Sequence, residues 1–172
     1  MNKMLFDFYT GRDTDHRGRS FEDMINMSDL ELERSHDVVQ WLFPLKEKSA
    51  HNPAAPLLDD ETIQAILDDA FGYAHLFAAC QRFWKFLVEG DVDKPTWITR
   101  RNHNFLRITR IIKCYRLFGE PVAESFYKLA IGYHQKFPNI IGSETLQFWQ
   151  EANETPACGK FRGTFERSVC RH

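Results

Sequence analysis

The sequence predicts an all-α fold. Apolar residues recur three and four apart, as in Ile63, Ile66, Leu67, Ala70 and Ala74, the period of a helix with one buried face. No run of alternating strand residues competes with this pattern. Start and stop signals bracket the periodic stretches: Ser28-Asp29-Leu30-Glu31 has the form of a capping box, and Pro44, Gly119 and Pro138 act as stops.

Taken in order, Thr10 to Arg19 is polar and charged and reads as a loop. Ser20 opens a short helix with Phe21, Met24 and Ile25 on one face. Ser28 caps a second helix while Glu31 reaches back to its start. Ser35 is placed to cap a third, with Asp37 in the first turn, where a carboxylate suits the positive end of the helix dipole. Pro44 ends that helix after Trp41, Leu42 and Phe43. Lys46 to Leu58, with Pro53 and Pro56, is an irregular connection.

Asp59 or Asp60 then starts the longest helix, expected to run to Val88 before Gly90. Its first half is amphipathic. Its second half, through Leu76, Phe77, Cys80, Phe83, Trp84 and Phe86, is apolar almost all round, which predicts a central, buried helix. Gly72 is a candidate bend. A fifth helix is expected from Ile98 or Thr99 to Phe118, and a sixth over Val122 to Lys136 with Pro121 at its first turn. Ser143 caps a last helix carrying Leu146, Phe148 and Trp149. From Asn153 onward the periodicity fades. The expected organisation is one globular domain, residues 1–152, of six or seven helices around the long central helix, followed by a weakly packed tail, 153–172.

Composition excludes several classes. A chain of 172 residues with 43% hydrophobic and 27% charged residues reads as globular. No stretch approaches the ~18 apolar residues of a membrane span, and Met1 to Phe6 meets Asp7 too soon for a signal peptide. A formal charge of −2 argues against a strongly basic nucleic-acid binder. The cysteines Cys80, Cys114, Cys158 and Cys170 form no C-x-x-C pair, and the first two sit inside apolar helical patterns. That predicts reduced thiols and a cytoplasmic setting.

Two stretches are similar to the two signature segments of the opioid growth factor receptor conserved domain, whose pattern resembles QWLFP and HNYLRITRIL. They are His36-Asp37-Val38-Val39-Gln40-Trp41-Leu42-Phe43-Pro44 and His103-Asn104-Phe105-Leu106-Arg107-Ile108-Thr109-Arg110-Ile111-Ile112. Phe8-Tyr9 and Phe137-Pro138-Asn139-Ile140 agree more weakly, and the resemblance spans about Leu5 to Trp149. It implies a helical, receptor-like binding domain with a peptide or protein partner and no cofactor. Animal members are described as nucleus-associated receptors for an enkephalin peptide without a membrane span. The signature residues Gln40, Trp41, Leu42, Phe43, Pro44, His103, Asn104, Leu106, Arg107, Thr109 and Arg110 read as structural, and no ligand-binding residue is assigned.

Groupings that could carry chemistry are few. No nucleophile triad, phosphate loop or catalytic carboxylate pair stands out, so the reading is non-enzymatic. His36-Asp37, with His16 and Asp59 or Asp60, is the set a metal-dependent hydrolase would need, and this is the third reading. Asp13-Thr14-Asp15-His16 lacks the Gly and distal Glu of a calcium loop. Cys158, Cys170 and His172 are not spaced as compact zinc pairs. The alternative function is nucleic-acid association through Arg100, Arg101, Arg107, Arg110, Lys113 and Arg116, in a stretch from Pro95 to Gly119 without an acid. At 100° per residue, however, these charges spread around the whole wheel. Arg107 falls beside Ile111, Cys114 and Phe118. It is therefore expected to be buried and bonded to an acid or to carbonyls of another helix, with Asp37 the first candidate and Glu144 the second.

Overall fold

The computed structural model describes residues 1–49, 52–88 and 95–158. Among them the fold is all-α, as expected, with nine helices: α1 (Lys3–Tyr9), α2 (Phe21–Ile25), α3 (Asp29–Arg34), α4 (Val38–Leu42), α5 (Asp60–Asp68), α6 (Ala70–Val88), α7 (Asn104–Leu117), α8 (Val122–Lys136) and α9 (Ser143–Asn153). A lone parallel bridge from Leu45 to Leu57 closes the irregular connection between α4 and α5.

The capping chemistry explains most of the helix starts. Ser28 and Glu31 form the expected capping box at α3, and Ser20 with Asp23 forms a second one at α2. The Asp59 carboxylate accepts from the Thr62 amide at 2.7 Å and starts α5. α1 was not anticipated. Asn2 caps it by accepting from the Leu5 amide, and Leu5, Phe8 and Tyr9 bury its inner face.

Four boundaries differ from expectation, each for a local reason. The helix expected over Asp59–Val88 is broken at Asp69, which is extended at φ −91°, ψ 125°. Its carboxylate accepts from the amides of Phe71 and Gly72 at 3.0 and 2.9 Å, so Asp69 ends α5 and caps α6. Gly72 is a close approach and not a bend: a Cβ there would fall 2.9 Å from the Ile66 carbonyl oxygen. Ser35 closes α3 instead of capping α4, and Asp37 takes the position before α4 with its carboxylate turned to Arg19 and Arg17. α7 begins at Asn104 and not at Ile98 or Thr99, because Arg101 has a left-handed backbone (φ 58°). Asn102 Oδ1 then accepts from the Asn104 amide at 2.8 Å. At α9 the residue before the helix is Gly142, and Ser143 is its first helical residue without a side-chain cap bond.

Packing divides the chain into two connected halves. α1 lies on α5 and α6, and α2 lies on α6 and α4; α7 is sandwiched with α8 and α9. The halves meet where the Phe43 ring sits edge-on to Phe83 of α6 (4.9 Å) and to Tyr115 of α7 (5.8 Å). Tyr115 Oη donates to the Leu76 carbonyl at 2.7 Å and ties α7 to α6 directly. The outer side of α6 departs from the expected burial: Phe71, Phe77 and Trp84 are exposed.

Helices of five to seven residues are marginal by themselves, and each leaves its last carbonyls without helical partners. Here α6 and α7 supply the donors. His75 Nδ1 lies 2.7 Å from the Tyr9 carbonyl at the end of α1. Arg82 Nη2 donates to Met27 O (2.8 Å), just past α2. Arg107 Nη2 donates to Leu32 O (2.8 Å) and Ser35 O (3.1 Å) at the end of α3. Arg110 Nε donates to Phe43 O (2.7 Å) at the end of α4.

The described chain runs past α9 to Cys158, which is half-buried against the core and whose amide donates to Leu117 O at 3.0 Å. The rest of the expected tail, including Cys170 and His172 of the zinc grouping, lies outside the described residues.

Two outcomes follow. Arg107→Met strands two buried carbonyls and the Asn104 amide oxygen, and is expected to cost about 2–4 kcal/mol in urea unfolding; Arg101→Met, on the exposed side, should stay within about 0.5 kcal/mol. Equal small effects at both positions would rule the capping role out. A chain ending at Cys158 should melt within about 2 °C of the full chain. Ending at Glu154 removes the Leu117 contact and should lower the midpoint by about 3 °C or more.

Candidate functional site

The structure brings the two signature segments together, and nearly every residue in them has a structural partner. Gln40 is buried; its amide donates to Ser49 Oγ (3.3 Å) and accepts from Asn52 Nδ2 (2.7 Å). Trp41 is fully buried against Phe8, ring centroids 5.0 Å apart, with the His16 ring stacked beside it. Leu42 and Phe43 are core, and Pro44 is buried behind them. Tyr9 Oη donates to the Leu42 carbonyl, next to the Arg110 bond on Phe43.

The second segment answers from α7. Asn104 is fully buried, donates to Glu33 Oε2 (2.9 Å) and accepts from Arg107 Nη1 (3.0 Å). Arg107 is 4% exposed and lies over the Phe86 ring, 5.9 Å from its centroid. The burial and the bonds to carbonyls of another helix are as expected; the acid beside it is Glu33 at 3.9 Å, and neither Asp37 nor Glu144. Asp37 is held by Arg19 and Arg17. Desolvation draws the Arg107 guanidinium down to about 10, which still leaves it charged at neutral pH. Arg110 is also drawn down by burial. Thr109 Oγ1 donates to the Phe105 carbonyl. Leu106 is the exception: it faces solvent.

His103 sits where the two segments touch. Its ring is edge-on to His36, 5.1 Å between centroids, and its Nε2 lies 3.4 Å from Glu33. Burial, then the positive charge of Arg107, lowers its pKa from the ordinary 6.5, against the pull of Glu33.

The metal-type groupings are otherwise occupied. Asp15 is buried, and burial pushes its pKa up, but Arg19 and two backbone amides outweigh that and hold it low. Asp15 and Asp37 both accept from Arg19, with His16 4.0 Å from each carboxylate. Guanidinium groups already fill the place a metal cation would take. Asp59 caps α5, and Asp60 pairs with Lys46. Among the described residues no three or more His, Cys, Asp or Glu side chains are arranged to hold a metal ion.

The basic segment is mostly spent inside the fold. Lys113 pairs with Glu47 at 2.7 Å, and Arg116 with Glu124 at 2.8 Å and with Asn153. With Arg107 and Arg110 on carbonyls, Arg100 and Arg101 are the two cations of the six left exposed.

A concave surface lies elsewhere, between α8 and α9. It is an open groove of about 460 Å³ lined by Tyr127, Lys128, Ile131, Gly132, Leu146 and Gln150, with His134 and Gln135 also on its wall. Gly132 stands inside a helix, and a Cβ added to it would meet nothing within 4 Å. This position has no packing reason to be glycine, although glycine there costs helix stability. Helical periodicity marks none of these residues as a site. The usable signal was a glycine within the strongly periodic stretch Val122 to Lys136.

The fold and site define an all-helical domain in which two distant sequence segments lock together through buried arginines. The sequence profile of the opioid growth factor receptor (OGFr) conserved region matches residues 3–150. The chain belongs to that family. No curated protein and no solved structure matches it. No described helix is long and apolar enough to cross a membrane.

The His103 environment sets a pH dependence. Just below pH 6.5 the unfolded chain binds this proton before the folded chain does, so stability falls as the pH falls through that range. Replacing His103 with Gln should flatten the loss, measured as the unfolding midpoint in urea at stepped pH. An unchanged slope would show that other groups carry it.

Proposed function

We propose that this chain is a non-enzymatic binding domain whose α8–α9 groove takes a short peptide with apolar side chains. The observation that carries this is the groove between α8 and α9, where Gly132 faces open space: a Cβ added there would meet nothing within 4 Å. Tyr127, Ile131 and Leu146 offer apolar surface, and Gln150 and Lys128 offer polar ends for a peptide backbone or carboxylate. A few polar groups on an apolar floor are what a small-ligand site needs. Membership of a family described as opioid growth factor receptor supports a peptide as the ligand class. The occupied arginines and the absence of a metal grouping among the described residues favour binding over hydrolysis or nucleic-acid association.

The test separates stability from binding. Gly132→Ala should raise the melting midpoint by about 2–4 °C, since it removes a helix-interior glycine without a clash. Gly132→Leu, which fills the groove, should weaken binding of a fluorescently labelled enkephalin peptide at least tenfold in an anisotropy titration. Binding that ignores Gly132→Leu, or no saturable binding at all, would remove the groove from consideration.

A further inference from the structure

Among the described residues, three large apolar side chains of α6 stand on its outer face. Phe71 is 68% exposed, Phe77 42% and Trp84 37%, the last with one side edge-on to Phe126 of α8, 5.3 Å between ring centroids. At 100° per residue, Trp84, Phe77, Val88, Gln81, Ala74, Lys85, Ala78 and Phe71 fall within a sector of about 140°. That sector carries one charged residue, Lys85, and one amide, Gln81. The opposite side of α6, through Leu76, Ala79, Cys80, Phe83, Phe86 and Leu87, is core. Arg82, at the edge of the sector, is fixed on Met27 and Asp29. An exposed patch of this kind marks an interaction surface.

We infer that α6 is a self-association surface, through which two copies of this chain pack antiparallel about a two-fold axis. The inference stands apart from the peptide groove, which lies between other helices. Its first support is self-complementarity. With the axis between Phe77 and Ala78, Phe77 of each copy meets the partner's Ala78 and Gln81 meets the partner's Ala74, a longer side chain over a small one each time, while Phe71 lies over the partner's Trp84. A two-fold interface uses the same patch twice, so a patch whose large and small positions fit one another suits it.

The second support is charge. In that register the two copies of Lys85 lie roughly 22 Å apart at 1.5 Å per residue, more than twice the screening length at physiological salt. No like charges are forced together. The third support is area. At ~150–250 Å² per aromatic side chain, the exposed parts of the three rings amount to roughly 300 Å² per copy. The residues between them bring a dimer to a total of about 1,000 Å², the lower end of specific interfaces. A surface of that size fits a weak, reversible dimer.

The experiment is sedimentation velocity of the full chain from about 1 µM to 1 mM, without any peptide. The expected result is a concentration-dependent shift from monomer to dimer. Phe71→Glu and Phe77→Glu should hold the chain monomeric throughout, while their far-UV melting curves stay close to that of the unmodified protein, since both side chains are exposed. Phe148→Glu, an equally exposed aromatic change on α9, should leave the dimer intact. A chain that stays monomeric at 1 mM overturns the inference. So does a dimer that survives Phe71→Glu and Phe77→Glu. Neither result bears on the groove, whose readout is peptide anisotropy.

Discussion

Everything in the N-terminal half depends on the closure of short helices by side chains from two long ones. A five- to seven-residue helix gains few internal hydrogen bonds and leaves its final carbonyls open. In α1 to α4 those carbonyls are buried or partly buried, where water serves them less well. One imidazole and three guanidiniums meet them instead, aligned along α6 and α7. Each guanidinium also faces the negative end of a helix dipole, so the hydrogen bond and the charge act together. The aromatic contacts of Phe8, Trp41, Phe43 and Phe83 fill the space these bonds define. Arginine suits the task because it stays charged when buried and spreads its donors over several acceptors, as Arg107 does over Leu32, Ser35 and Asn104.

This arrangement gives the family signature a physical meaning. Its first segment provides the end of α4 and the aromatic plug beneath it. Its second provides the donors that close α3 and α4. The motif is a description of one joint, seen from both sides. A segment so fully engaged has little left to offer a ligand, which moves attention to surfaces outside it, the α8–α9 groove and the outer face of α6.

The helical class was legible because period and caps are local properties. Ser28 with Glu31, Pro44 and Pro138 act on their neighbours, and the structure places them as read. What was hidden depends on partners far along the chain. The Asp68-Asp69 pair looked like the polar side of one continuous helix, yet Asp69 turns its carboxylate to the next amides and splits the helix in two. The need of Arg107 for partners could be deduced from its place on an apolar face. Their identity could not, since Asp37 was equally plausible until Arg19 and Arg17 were seen to hold it. The all-round apolar character of α6 suggested complete burial, because sequence does not say how many neighbours a helix has. The groove was invisible for a related reason: it is a distance between helices, and its sequence trace is the one residue Gly132.

The side chains that close the N-terminal helices lie 55 to 75 residues downstream of the carbonyls they meet. During translation at roughly 5–20 residues per second, α1 to α4 therefore emerge several seconds before their closing partners. Over that interval Phe8, Trp41 and Phe43 belong to a nascent segment that cannot complete its own core. Helical proteins usually fold fast because their contacts are local. This one has local helices joined by distant bonds, so the completion of its core waits on long-range pairing that its helical content alone would not suggest.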